Sequence, residues 1–358
     1  MNKNKKNDNR VADIAKIVGV SPATVSNALN NRKGVSEKKK QEILSIASSI
    51  GYNRISQKKV EKTLRFVIFK RHGAVVDDTP FFSQLIKGIE IESRKNGYEL
   101  LVTHINAHDI REDGRIGVLS GDYCDGMILL ATEMHANDVA SFERIGIPLV
   151  LLDNAFRGAE HDSVLINNKD GVYRAVKHLI DMGHRDIGLL HSSDHINNFY
   201  YRRLAFCETM KDFGLPVKTD YEIHLSSKME AAYQDMKECL GHKKKGPLPT
   251  AFFAENDIIG VSAMRAMQEN GISVPEDISI VGFDDLPYAE VCNPSMTTVR
   301  VEKREMGELA VKTLVDRING EMKTFIKLQL CTQLITRNSV KKNINTPPLN
   351  PTSIIGII

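Results

Sequence analysis

Ser21, Thr24, Ser26, Asn27 and Asn30 fall within one short stretch that contains no acidic residue. Small hydroxyls and amides hydrogen-bond without repelling a polyanion, and they let a backbone come close to a surface. Carried on one helix face, they suit phosphate and base contacts to duplex DNA. Lys38, Lys39 and Lys40 follow a few residues later. Residues 1–62 hold fourteen Lys/Arg against five Asp/Glu, a net of +9. The other residues of the 358 hold 34 Lys/Arg against 40 Asp/Glu, a net of −6. A basic head on an acidic body predicts a polyanion-binding module joined to something else.

Little else in the chain promises chemistry. There is no Gly-x-Gly-x-x-Gly after a strand, no Walker loop, no Gly-x-Ser-x-Gly and no His-Glu-x-x-His. His104/His108 and His191/His195 are spaced by four, without a carboxylate arrangement that would complete a metal site. His184, in Gly183-His-Arg185, reads as a structural turn histidine. Asp284 and Asp285 are adjacent at a strand end, where neighbouring side chains diverge. No catalytic residue, metal or other cofactor is therefore expected. The five cysteines (Cys124, Cys207, Cys239, Cys292 and Cys331) are scattered, which points to a reducing cytoplasm. No apolar run is long enough for a bilayer, and the charged start is no secretory leader.

The elements that must position these residues follow from the apolar spacing. Val11, Ile14, Ala15 and Val18 make one helix face. Gly19 permits a tight turn, Ser21 caps the next helix, and Pro22 fills its first position. Val25, Ala28 and Leu29 form that helix's buried face and leave Ala23, Thr24, Ser26, Asn27 and Asn30 outside. A third helix begins after Ser36, buries Ile43, Ile46, Ala47 and Ile50, and stops at Gly51. Two short helices across a turn, braced by a third, are a helix-turn-helix.

From Leu64 short apolar runs alternate with amphipathic stretches. Strands are expected at 65–69, 99–103, 126–130, 148–152, 187–190, 251–253 and 279–283, and helices at 81–96, 171–182, 203–213, 230–240 and 258–270. The alternation predicts an α/β fold with parallel sheets. The length of the body predicts two subdomains. Pro347-Pro348 and the residues after it read as the end of a loose tail.

The stretch Val11–Asn31, with Gly34-Val-Ser36 and Ile50-Gly-Tyr52, resembles the headpiece of the lactose/galactose repressor (LacI/GalR) family. The resemblance continues over most of 64–338, through Pro80–Ile89, Asp153-Asn154, His178–Ile187, Ala254–Ile258, Val281–Asp285, Pro294–Val299 and Met306–Ala310. It implies a bacterial transcription regulator at the nucleoid, most simply a homodimeric repressor of a sugar-utilisation operon. A periplasmic-binding-protein-like core of two Rossmann-like subdomains would bind an effector in its cleft. The implied organisation is a headpiece at 1–52, a hinge at 53–63, a core at 64–338 and a tail at 339–358. Within the core the first subdomain takes about 64–164 and 295–324, the second about 165–293 and 325–338, with crossings near 165, 294 and 325. Pro22, Ala23 and Asn27 would face bases of a pseudo-palindromic operator. Val11, Ser21, Thr24, Ser26, Asn30, Val35 and Ser36 would hold its backbone, with Lys39 beside them. Many members carry Arg where this chain has Asn27, and Asn suits adenine where Arg suits guanine. Phe81, Phe82, Asp153, Arg202, Asn256 and Asp284 fall on effector positions, with Arg203 the alternative to Arg202. Such a set can bond several sugar hydroxyls while aromatic faces stack on the ring. The family's aromatic roof falls near Leu225–Ser226, and the chain has no Trp to supply it.

The hinge departs from the family. It lacks Pro-Asn and an Ala-x-x-Leu, and the groove-wedging position falls on Glu61 unless a shifted register brings in Val60 or Ile55. Arg54, Lys58, Lys59 and Lys62 would instead touch phosphates. Two other readings remain. A solute-binding protein of a sugar transport system would share the body but not the basic head, and a Rossmann-type enzyme should show a phosphate loop.

Overall fold

The structure is a computed structural model that describes residues 13–29, 35–49, 62–76, 80–111, 119, 124–242 and 247–344. Val11, Asn30, nearly all of the hinge segment and the chain beyond residue 344 lie outside the described residues. The chain forms two compact units, Met1–Lys62 and Thr63–Ile358.

In the first unit a helix over 13–18 ends at Gly19, whose φ is +71°. No atom would crowd a side chain there, so the glycine answers the backbone angle rather than lack of space. Ser21 Oγ accepts the Thr24 N–H at 3.1 Å and caps the helix Pro22–Leu29. Ser36 Oγ accepts the Lys39 N–H at 3.4 Å at the start of Glu37–Ser49. Ile14, Ala15, Val18, Val25, Ala28, Ile43 and Ala47 close the core between the three helices.

The second unit holds two six-stranded sheets. The first is ordered β11-β5-β4-β3-β1-β2, from Lys327–Leu330, Asp162–Ile166, Leu149–Leu152, Gly126–Leu130, Lys62–Lys70 and Tyr98–Asn106. The second is ordered β12-β10-β9-β8-β6-β7, from Gln333–Ile335, Thr297–Arg300, Ser279–Asp284, Ala251–Ala254, Ile187–Ser192 and Glu222–Leu225. Strand β1 shows why the apolar runs are unbroken. Phe66 and Ile68 enter one core while Val67 and Phe69 enter another, so both faces of the strand are covered. Each such side chain contributes about 1.5–3 kcal/mol by leaving water.

The helices Pro80–Lys95 and Lys303–Ile318 cross at glycines. A Cβ on Gly88 would stand 2.1 Å from the Arg304 carbonyl oxygen, and one on Gly307 2.3 Å from that of Leu85. The two backbones touch here, which seats Phe81 and Lys303 at one end of the helix pair.

Three expectations need correction. The second crossing, expected near 294, falls after Arg300, because Thr297–Arg300 pair in parallel with Val281–Asp284 of the second sheet. The third, expected near 325, falls between β11 and β12, because Lys327–Leu330 pair with Ser163–Ile166 of the first sheet. Residues 339–344 are not loose. Ser339 is fully buried, its Oγ accepts the Thr297 N–H at 2.9 Å, and the Asn343 N–H bonds the Met182 carbonyl at 2.8 Å. These bonds tie the segment to β10 and to the helix Asn168–Asp181.

Candidate functional site

In the head, Ser21, Pro22, Ala23 and Ser36 are exposed, and Thr24, Ser26, Asn27, Val35 and Lys39 are half-buried. The positive end of the helix dipole makes the exposed start of Pro22–Leu29 favourable to an anion, although Pro22 has no N–H and the Thr24 N–H is taken by Ser21 Oγ. Lys39 pairs with Glu42 at 3.0 Å. All nine expected contact residues that the structure describes thus keep surface open to solvent.

In the body, the loops after β3, β4, β6, β8 and β9 converge between the two sheets. Asp153 follows β4, Asn256 follows β8, and Asp284 ends β9. Arg202 comes from the helix Asn197–Asp212 and Phe81 and Phe82 from Pro80–Lys95. All six expected effector residues line one cavity, together with Thr132, Ile196, Asn198, Phe199 and Ser227. The cavity measures about 40 Å³, or about 470 Å³ with its open mouth counted. The enclosed part has room for a few water molecules at most.

Arg202 is 3% exposed, and each of its three guanidinium nitrogens donates a hydrogen bond. Its Nε donates to Asn168 Oδ1 at 2.9 Å, its Nη1 to the Glu255 carbonyl at 2.6 Å and its Nη2 to Asp284 Oδ1 at 3.1 Å. Its guanidinium lies 3.8 Å from the centre of the Phe283 ring. Arg203 instead turns to the surface and pairs with Glu222 at 2.6 Å. Asp153 accepts the Thr132 hydroxyl at 2.6 Å and the Asn198 amide at 2.9 Å. Burial pushes its carboxyl up to about 6, with the Thr132 and Asn198 bonds opposing. Asn256 spends its Oδ1 on the Ile259 N–H at 2.8 Å, capping Asp257–Glu269, and keeps its amide N–H groups for the cavity.

Behind this wall lie groups that sequence reasoning missed. Asp257 is fully buried; its Oδ1 accepts the Thr298 hydroxyl at 2.5 Å and its Oδ2 the Leu286 N–H at 2.7 Å. Burial, and then the like charge of Asp284, push its carboxyl up to about 8. Lys303 Nζ donates to the Asp284 and Val301 carbonyls, and burial lowers its pKa. Glu133 accepts five backbone N–H groups, from Arg71, His72, Gly73, Val75 and Val76, and fixes the loop after β1 against the cavity. Burial alone would raise its pKa, but the amides outweigh it and the net shift is downward. Phe199 supplies an aromatic wall one turn from Arg202. Leu225, near which the family's roof was expected, is buried in the second sheet's core.

Asp284 and Asp285 do diverge. Asp285 turns to Arg300 at 2.7 Å and Arg337 at 2.6 Å. His184 is buried between Thr250 Oγ1 at 3.0 Å and the Lys341 carbonyl at 3.1 Å, and burial lowers its pKa, so it is a neutral tie between segments. Among the described residues no three His, Cys, Asp or Glu side chains group as a metal site, and no helix is long and apolar enough to cross a membrane.

Comparison with known proteins agrees with this geometry. Residues 10–54 match the bacterial regulatory proteins of the lacI family, and residues 176–340 match the periplasmic binding protein-like domain. The HTH-type transcriptional repressor PurR of Glaesserella parasuis serovar 5 (strain SH0165) is 28% identical over 343 residues, 94% of this chain and 99% of its own. Among solved structures, the transcriptional regulator CelR in complex with cellobiose aligns with a TM-score of 0.69 at 25% identity, over 92% of this chain and 99% of its own. The lac repressor dimer bound to operator and an anti-inducer aligns with a TM-score of 0.69 at 23% identity, over 92% and 98%.

Proposed function

We propose that this chain, a member of the lacI family of bacterial regulatory proteins, represses a sugar-utilisation operon as a homodimer whose grip on DNA changes when a sugar or sugar derivative enters the cleft of its body. Two copies of the head on a pseudo-palindromic operator follow from the geometry of helix-turn-helix readers, whose half-sites mirror a two-fold axis. The lac repressor neighbour, a dimer on its operator, supports that assembly. Pro22, Ala23 and Asn27 read bases, and the surrounding hydroxyls, Val35 and Lys39 hold phosphates.

One observation carries the effector reading. A buried arginine, two buried aspartates and a free amide face Phe81, Phe82 and Phe199 across a cavity at the carboxyl ends of two sets of parallel strands. Fixed donors and acceptors opposite aromatic faces suit a polyhydroxylated ring, and the cellobiose complex of CelR supports a sugar. The three phenylalanines also favour a second reading, a planar nucleobase held by stacking. A thermal-shift screen of sugars and nucleobases decides between them. A ligand at a hundred times its dissociation constant stabilises by about 2.7 kcal/mol. Arg202→Ala should weaken the hit by about 1.5–3 kcal/mol, while Arg203→Ala, which removes a surface ion pair, leaves it unchanged. Normal binding by Arg202→Ala would overturn the cleft assignment.

A further inference from the structure

A second cavity adjoins the one lined by Arg202. It measures about 320 Å³ and shares Thr132, Ile196 and Phe199 with it. That volume lies at the lower end of the roughly 300–1,000 Å³ of small-ligand pockets. His135, after β3, comes from the first subdomain. His191 at the end of β6, Asp194 and His195 in the loop after it, and Tyr200 on the helix Asn197–Asp212 come from the second. The sequence marks His191 and His195 only as a pair that completes no metal site, and the first cavity uses none of these five side chains.

Glu255 serves both cavities. Its carbonyl accepts from Arg202 Nη1 at 2.6 Å. Its fully buried carboxylate has Oε2 2.8 Å from His191 Nδ1, and the same oxygen accepts the Ser192 N–H at 2.9 Å. With that oxygen accepting from Ser192, the proton of the neutral imidazole belongs on Nδ1, and Nε2 is left as an acceptor for the cavity that the ring lines. The His224 ring packs edge-on against His191, with centroids 5.0 Å apart, and helps to hold its plane.

The charged groups on this wall are already engaged. Arg203 gives its Nε and Nη2 to Glu222 at 2.6 and 3.0 Å. Glu133 accepts its five backbone N–H groups. Asp194 Oδ2 accepts the Ser227 N–H at 3.0 Å and the Ser227 hydroxyl as well. What remains is a set of imidazole and hydroxyl groups that both donate and accept, beside the rings of Phe199 and Tyr200. A phosphate or an ammonium group finds no unengaged counter-charge among these residues, whereas the hydroxyls of a neutral sugar find partners of both kinds. We infer that this cavity is a second sugar subsite, which takes the next unit of a neutral oligosaccharide whose first unit lies beside Arg202. The effector is then at least a disaccharide. This rests on the reading of the Arg202 cavity as the sugar site and names the class of sugar.

Isothermal titration of the full-length protein compares glucose with cellobiose, maltose and trehalose, and galactose with lactose and melibiose. The best disaccharide is expected to bind at least about tenfold more tightly than its parent monosaccharide, and glucose 6-phosphate no more tightly than glucose. His195→Ala, at an exposed position, is expected to bring the disaccharide advantage below about threefold. The chain has no tryptophan, so Tyr200→Trp is a single reporter on the wall of the second cavity. Its emission is expected to shift with the disaccharide and not with the monosaccharide, a measurement that stands should His195→Ala not fold. A monosaccharide that binds as tightly as its disaccharides, or glucose 6-phosphate that binds more tightly than they do, overturns this inference alone and leaves the Arg202 cavity as a sugar site. So does a silent Tyr200→Trp, or a disaccharide advantage that His195→Ala leaves intact. If none of these sugars binds, the reading of the Arg202 cavity as a sugar site fails, and this inference with it.

Discussion

Asp257 gives the most quantitative test of the electrostatics behind the cleft. It is fully buried, has no cation bonded to it, and sits so close to β9 that a Cβ on Gly282 would stand 2.3 Å from its Oδ1. Its carboxyl is pushed from 3.8 up to about 8, first by burial and next by Asp284. A folded pKa above the unfolded one means that the folded state holds the extra proton between those values. The associated stability is complete below the unfolded pKa and is lost as pH rises toward the folded pKa. The slope is about 1.4 kcal/mol per pH unit. Asp257→Asn removes the titration and keeps the bonds, since the amide oxygen can accept from Leu286 and the amide nitrogen can donate to Thr298. The stability of Asp257→Asn minus that of wild type should therefore grow by about 4 kcal/mol from pH 5 to pH 8 and then level off. Urea unfolding followed by circular dichroism, at fixed protein concentration across pH 5–9, measures this difference and subtracts every other titrating group. A difference that stays constant with pH would mean that Asp257 is ionised throughout, and the account of its burial would be wrong.

Three further outcomes follow from other parts of the molecule. Asn27→Ala should relax preference at one base pair per half-site by about 1–3 kcal/mol, whereas Lys39→Ala should weaken all sequences alike; operator-variant titrations distinguish them, and a uniform effect of Asn27→Ala would remove it from the base-reading face. Gly88→Ala drives a methyl into the Arg304 backbone and should cost about 1–3 kcal/mol or more by overpacking, visible in urea unfolding; a neutral result would show that the two helices can separate freely. Asp153, with its carboxyl at about 6, accepts more strongly from a ligand hydroxyl when ionised, so affinity for the screened effector should fall as pH drops through that value; Asp153→Asn should flatten the profile, and an unchanged profile would take Asp153 out of the effector contacts.

The head was legible almost residue by residue because its signals are local. Ser21 caps the helix three residues from Thr24, Gly19 stands at a positive φ, and the buried positions repeat at helical spacing. The long double-covered strands were legible for the same reason. Strands β5, β7, β10, β11 and β12 were missed: they are three to five residues long, and β11 and β12 are partly exposed edges with no apolar run. The second crossing, which the family resemblance put near 294, falls several residues later, after Arg300. In the cleft, Arg202, Asp153, Asn256 and Asp284 came through the family resemblance. Asn198 could have been found as the polar residue four before Arg202 on the same helix face. Asn168, Asp257 and Lys303 carry no local signal, because their meaning lies in partners up to 41 residues away that only the sheet topology brings together.

The backbone at the strand ends also bears on how this cleft can change. Asp153, Asp284 and Asp285 all have positive φ, at 69°, 107° and 52°, a region that aspartate, asparagine and glycine enter at modest cost and that bulky or β-branched residues avoid. Evolution toward a new effector is therefore confined at these points to a short alphabet, with the aspartates exchangeable for asparagine but not for valine, leucine or phenylalanine. The helix-borne walls carry no such constraint. Phe81, Phe82 and Phe199 stand on ordinary helical backbone, and they are where a lineage descended from this protein has freedom to recut the shape of the pocket while its carboxylates stay in place.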